Sequence, residues 1–294
     1  MGGARPPEGL ISLVGYNDMS EMLAALDEAF LKVHPGLRIT TDLKGTRFGP
    51  DALASGRATL APMGARFTPA QLAAYLAIAG REPLGFRIAH ASLNPRALSG
   101  PNALLVHRDN PLRSITARKV ADLFTRSGPH FWNEVSREER FTHRPVKLTG
   151  LAPQTPLALE FQEALFPGSR FAEDFRGFGQ SRDVVDIVGH DPEALGFAAL
   201  NRASDLVRPL GIRREPSSAP IHASAATLRS GAYPLDRHLW IYARPDSRGR
   251  LSETARAYLG FVLSKMGQSI IGAGSLGYLP LGERERRQEL ARLG

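Results

Sequence analysis

Hydrophobic and polar positions alternate between two periods along this chain. Residues 10–16, LISLVGY, are apolar and β-prone. In the next segment Met22, Leu23, Leu26, Phe30 and Val33 recur at helical spacing. Asp18 with Glu21 three residues on predicts a capping box at its start, and Pro35-Gly36 predicts its end. Residues 37–43, LRITTDL, predict the next strand, completing the strand–helix–strand unit of a parallel sheet. A short helix near 49–56, a strand in ATLAPMG and a helix over 68–80 follow. FRIAHASL and NALLVH predict strands. A helix is expected from about Thr116, a strand over 145–150 and a helix in TPLALEFQEALF. RDVVDIVGHDPEALGFAAL predicts a helix, a turn and a strand, and 238–244 a strand. LSETARAYLGFVLSKMGQSIIGAG predicts helix, and GERERRQELARLG a charged surface helix or frayed end. The pattern is α/β throughout, without a solenoid period or a flexible linker.

Three strand-to-helix turns share a character: VGYNDMS (14–20), KGTRFG (44–49) and TGLAPQTP (149–156). Ligands of open α/β sheets bind at the carboxyl ends of strands. Helix N-termini there offer N–H donors to an anion without a metal. Taken singly, such a turn more often only caps a helix.

Composition narrows the reading. The 294 residues suffice for two ordinary domains or one large one, and the net charge of +8 favours anionic partners. The Lys and Arg are scattered and no nucleic-acid motif accompanies them, so no nucleic-acid partner is expected. With no cysteine, disulfides, thiolate metal sites and a cysteine nucleophile are excluded. No apolar run is long enough to span a bilayer. MGGARPPEGL lacks the apolar stretch of an export signal and reads as a trimmed start. None of the G-x-S-x-G, H-E-x-x-H, P-loop or G-x-G-x-x-G motifs occurs, and the eight histidines show no metal-ligand spacing. His130 and His143, with carboxylates between them, read as a polar excursion. No catalytic residue, cofactor or metal is expected.

Five segments, in order, resemble the periplasmic phosphate-binding protein family, the type-2 solute-binding proteins of phosphate import systems. They are G-Y-N-D-M with its helix and HPG; GTRFGPDALASGRATLAPM; HRDNPLRSITARKVADLF; DVVDIVGHDPEALGFAAL; and YPLDRHLWIYARP with FVLSKMGQSIIGAGSLGYLPL. Together they run from about residue 10 to 281. The resemblance implies a two-lobed α/β fold of the type-2 periplasmic-binding-protein kind, with mixed, mostly parallel sheets and a ligand cleft between the lobes. Lobe one would be 1–104 and 236–294, and lobe two 105–235, with hinge strands near 103–107 and 236–243. It also implies a non-catalytic, periplasmic monomer whose export signal has been removed. Such a protein captures a small anionic solute, phosphate by resemblance, by hinge closure and delivers it to an ABC transporter permease.

The ligand turns depart from the family pattern. Where the third turn has an arginine the chain has Leu151, and its serine positions carry Pro153 and Thr155. Pro156 removes a backbone donor there. Thr59 replaces an aspartate and Gly64 a serine, and Arg66 stands one residue beyond the usual arginine. The residues expected to meet the ligand are Asn17, Asp18, Met19, Thr46, Arg47, Arg66, Gln154 and Thr155, with Asp18 read more safely as a helix cap. The erosion leaves an alternative open: a binding protein for a phosphonate, an organophosphate or a neutral solute, with service to a sensor as a further option. An effector-binding domain of a transcription regulator shares the bilobed fold, but no helix-turn-helix fits before the first strand.

Overall fold

The computed structural model describes residues 9–135 and 143–293. Glu138 and Glu139, between His130 and His143, lie outside the described residues, as does most of the MGGARPPEGL segment. In chain order the elements are β1 (Leu10–Val14), α1 (Ser20–Val33), β2 (Arg38–Asp42), α2 (Gly49–Ala54), β3 (Leu60–Met63), α3 (Pro69–Ala79), β4 (Leu84–Ser92), β5 (Asn102–His107), β6 (Ser114–Thr116), α4 (Ala117–Thr125) and β7 (Lys147–Thr149). Then come α5 (Pro156–Leu165), α6 (Ser181–His190), β8 (Ala194–Ala199), β9 (Val207–Pro209), β10 (Gly211–Arg213), α7 (Ala225–Arg229), β11 (His238–Ala243), α8 (Glu253–Val262), α9 (Lys265–Ala273), β12 (Tyr278–Pro280) and α10 (Glu283–Ala291).

The chain folds as two compact units. The first is Met1–Ser92 with Ala97–Ser99 and His238–Gly294; the second is Leu93–Arg96 with Gly100–Arg237. Strand β5, expected in the hinge, lies within the second unit, and β11, also expected there, within the first.

The first unit holds a six-stranded sheet in the order β12-β4-β11-β3-β1-β2. Strand β1 pairs parallel with β2 and β3, as the strand–helix–strand reading requires. Strand β11 enters between β3 and β4 and runs antiparallel to both. In the second unit the order is β7-β8-β5-β9, with β7 and β8 parallel and β5 antiparallel to β8 and β9; β10 and β6 form a separate parallel pair. The sheets are thus mixed rather than mostly parallel, because returning strands such as β11 reverse direction.

The helical stripe of α1 buries Met22, Leu23, Leu26 and Phe30, whereas Val33 is exposed at its end. Phe30 meets the Tyr258 ring edge-on at 5.2 Å in the first core. The second unit centres on Phe161 and Phe197, stacked at 4.0 Å, with Phe124 edge-on to both. Truncating one such ring to alanine removes about 3–5 kcal/mol.

Two end signals fall differently from the sequence pattern. No side chain caps α1; the capping box occurs at α3, where Thr68 Oγ1 accepts from Gln71 N–H at 3.2 Å and Gln71 Oε1 from Thr68 N–H at 2.9 Å. The charged tail is neither frayed nor a free surface helix. In α10 Glu289 is buried and takes Arg87 Nε at 2.6 Å, while Leu290 and Leu293 pack against the first core. A carboxylate buried there is sustained because its guanidinium partner comes with it.

Candidate functional site

The turns of the first unit are tied to one another through the backbone. Because β1, β2 and β3 are parallel, the turns that follow them share one edge of the sheet. Gly45 N–H donates to Gly15 O at 2.8 Å, and Tyr16 N–H to Pro62 O at 2.9 Å. Gly15 is obligatory there, since a Cβ would lie 2.1 Å from Pro62 O. Gly64 N–H reaches Thr46 Oγ1 at 3.4 Å, which leaves the Thr46 hydroxyl proton to donate elsewhere.

A hydroxyl cluster backs these turns. Tyr16 Oη and Ser99 Oγ are hydrogen-bonded at 2.8 Å, and Ser99 Oγ also reaches Gly64 O at 3.4 Å. Ser99 N–H donates to Tyr278 Oη at 3.3 Å, and Tyr278 Oη–H donates in turn to Asp18 Oδ2. Burial, the nearby Tyr16 and the Asp18 carboxylate all push the Tyr278 hydroxyl well above the ordinary tyrosine range, so its proton stays in place. The Tyr16 ring lies where a side chain at position 64 would go: a Cβ there would come within 2.6 Å of it. Gly64 therefore stands at the family's serine position because Tyr16 fills the space.

The expected site residues of this unit fall into distinct roles. Asp18 is not a helix cap. Its Oδ2 accepts from Tyr278 and from Leu98 N–H at 2.8 Å, and neither bond uses Oδ1. Met19, expected to meet the ligand, is fully buried in the core and offers no exposed group to a solute. Asn17 is exposed, and the short 3₁₀ turns Asn17–Met19 and Thr46–Phe48 open the way to α1 and α2. Arg47 and Arg66 are exposed, their guanidinium groups resting 4.7 Å from the Phe48 ring centroid and 5.3 Å from that of Trp240. Neither is drawn into an ion pair among the described residues, so both charges remain available to an anion. Thr59, at the family's aspartate position, accepts from Ser12 N–H at 3.1 Å and serves the sheet edge.

The third turn, in the second unit, is built differently. Leu151 is buried and bridges in parallel to Phe178. Ala152 N–H and Phe178 N–H each find a carbonyl at 2.8 Å, on Phe178 and Gly150. The Thr155 hydroxyl caps α5, accepting from Ala158 N–H at 3.3 Å while donating to Ala152 O at 2.8 Å. Gln154 is exposed. Helix α5 is anchored from its far side: Glu160 forms an ion pair with the buried Arg237, whose Nη1 also donates to Gly100 O at 3.2 Å. The polar groups of this turn thus satisfy its own backbone.

Sequence reasoning missed Tyr16, Ser99 and Tyr278. Both tyrosines lie in the G-Y-N-D-M and GYLPL motifs, where they read as scaffold; Ser99 sits in a Pro- and Gly-rich loop with no signal of its own.

The comparisons bear on the whole arrangement. The chain aligns over 98% of its length with a possible phosphate binding protein from Planctomyces limnophilus, at 19% identity and a TM-score of 0.54, covering 99% of that chain. It aligns over 92% with an ABC-type phosphate transport receptor from Vibrio cholerae, at 16% identity and a TM-score of 0.58, and over 93% with PstS from Borrelia burgdorferi, at 15% and 0.57, covering 99% of each. The fold is that of the type-2 solute-binding proteins. By sequence the chain is 23% identical over 293 residues to the phosphate-binding protein PstS of Pseudomonas aeruginosa, covering 97% of this chain and 87% of the relative. The same alignment holds for PstS of a second strain. The resemblance to phosphate-binding proteins read from the motifs therefore extends over nearly the whole chain. No family model matches the chain. Among the described residues no helix is long and apolar enough to cross a membrane.

Proposed function

We propose that this protein is a solute-binding protein that captures phosphate and delivers it to a membrane ABC transporter. The observation that carries the reading is the chain-long likeness to proteins named for phosphate binding or phosphate transport, on a type-2 binding-protein fold. In this reading it acts without catalysis, as a monomer, in the periplasm. The ligand residues come chiefly from the first unit. Asn17 and Thr46 supply hydrogen-bond donors, and Arg47 and Arg66 supply the charge that Leu151 does not. Asp18 Oδ1 accepts the proton of monohydrogen phosphate, which favours that form over a fully ionised oxyanion. Gln154 contributes from the third turn, where the Thr155 hydroxyl is committed to Ala152 O and to the start of α5.

The test is isothermal titration with phosphate after unfolding and refolding to strip carried-over ligand. A micromolar or tighter Kd supports the reading. Arg47→Ala and Arg66→Ala should each weaken binding by about 10- to 100-fold, the worth of a hydrogen bond to a charged group. No heat at millimolar phosphate would sink the phosphate assignment and turn the search to phosphonates, organophosphates and neutral solutes.

A further inference from the structure

The first unit contains a second cluster of chemistry-bearing groups, built on three elements. His90 on β4 and His238 on β11 are register partners across an antiparallel pair, their rings 4.8 Å apart. Glu285, in the first turn of α10, faces both. His90 Nε2 lies 2.9 Å from Glu285 Oε2, and His238 Nε2 lies 3.5 Å from Glu285 Oε1. Gly282 N–H donates to Glu285 Oε2 at 3.2 Å and fixes the carboxylate at the helix start. His90 is fully buried, while His238 and Glu285 are partly open to solvent. The sequence hides this set, because its members stand at positions 90, 238 and 285 with no short spacing.

We infer that His90, His238 and Glu285 form a binding site for a divalent transition-metal ion of the Zn²⁺ type. Neutral imidazole nitrogen and carboxylate oxygen are the ligands that such an ion takes. Bonds of about 2.0–2.1 Å in a tetrahedral site hold neighbouring ligand atoms about 3.3 Å apart. The separations of 2.9 and 3.5 Å, each to a different oxygen of Glu285, place both imidazole nitrogens near that distance from the carboxylate. Water supplies the remaining position on the open side. The Gly282 N–H that steadies Glu285 is the kind of outer contact that orients a metal-bound carboxylate. Arg87 opposes the ion: its Nη1 lies 3.4 Å from Glu285 Oε1, although its Nε is held by Glu289. The expected affinity is therefore moderate, in the micromolar range. Because the ligands must shed protons, binding weakens as pH falls.

The experiment uses the whole chain, stripped with a chelator and titrated with Zn²⁺ near pH 7.5 by calorimetry, with Co²⁺ absorption as the spectroscopic readout. One ion should bind per chain, raise the melting temperature and give the visible bands of a low-symmetry cobalt site. His238→Gln and Glu285→Gln should each lose at least about tenfold in affinity and abolish the cobalt bands. His190→Gln, at an exposed histidine of the second unit, should change neither. His238→Gln alters a partly exposed side chain, and far-UV dichroism checks that it still folds. Absence of Zn²⁺ binding to the folded parent up to millimolar metal overturns the proposal. So does stoichiometric binding that survives both substitutions. Phosphate binding is read separately, so failure here leaves the proposed function untouched.

Discussion

The turns after β1 and β2 and the turn after β7 use the same strand-to-helix device to different ends. In the first unit, glycines at 15 and 64 let backbone and ring approach closely, hydroxyls lock onto each other behind the turn, and two arginines have no carboxylate partner among the described residues. In the second unit, the turn closes on itself: Leu151 is buried, Thr155 caps its own helix, and Pro156 offers no N–H. The difference teaches that one strand-to-helix turn can spend its polar groups on its own backbone while another leaves them open, with the same local fold. A hydroxyl is a good donor to a solute only when no nearby carbonyl takes its proton, as Ala152 O takes that of Thr155.

The largest test of that contrast is the anchor of the third-turn helix. Glu160→Ala should take a carboxylate partner from the buried Arg237 and cost about 3–5 kcal/mol, read by denaturant unfolding. A loss below 1 kcal/mol would mean that α5 is held by packing alone. Next, Gly64→Ser places a side chain against the Tyr16 ring. It should destabilise by about 1–3 kcal/mol, because the new Cβ meets a Tyr16 ring pinned by Ser99. Tyr16→Ala in the same chain should recover part of that loss through coupling between the two sites, and simple additivity would refute the steric account. Smaller still, Thr155→Ala should cost about 1 kcal/mol as a lost cap and leave phosphate affinity nearly unchanged. A large affinity loss with little change in stability would put the Thr155 hydroxyl on the ligand after all.

The smallest effect lies in the pH profile. Burial pushes the Asp27 carboxyl up to about 6, with Tyr258 Oη–H donating to it at 2.5 Å and opposing the rise. The folded chain then keeps a proton that the unfolded chain releases near its ordinary value of 3.8, so this group makes stability fall as pH rises from about 4 to 6. Glu285 works the other way. Burial raises its carboxyl, but hydrogen bonds from His238 and His90 outweigh that and hold it well below the usual glutamate range. Its contribution is present above about 4.5 and is lost as pH falls. Asp27→Asn should flatten the first slope and Glu285→Gln the second, each read from melting temperature against pH. Unchanged slopes would remove both assignments.

Much of the scaffold was legible because its signals are local. Periodicity places α1 through Met22, Leu23, Leu26 and Phe30, and Thr116 with the stripe of Val120, Leu123 and Phe124 starts α4. What was illegible depends on groups brought from far along the chain. Asp18 carries the sequence signature of a cap, but Tyr278, 260 residues on, takes its carboxylate. The tail has the composition of a solvated helix, yet Arg87 on β4 holds Glu289 inside. The hydroxyl cluster is invisible for the same reason, since Ser99 means nothing until Tyr16 and Tyr278 lie beside it. Leu151 alone announced the closed third turn directly, because an aliphatic residue cannot substitute for a guanidinium anywhere.

The place of β11 in the first sheet has a consequence for how the chain is made. During synthesis the second unit, residues 93–237 apart from a short excursion, emerges before β11, β12 and α8–α10 exist. Until residue 243 is out, β3 and β4 have no strand between them, and their open edges are templates for wrong pairing. The first unit is therefore completed after the second has emerged, and the growing chain carries part of an apolar core unfinished for some 145 residues. Whatever keeps β3 and β4 from pairing wrongly during that interval must yield to β11 when it arrives.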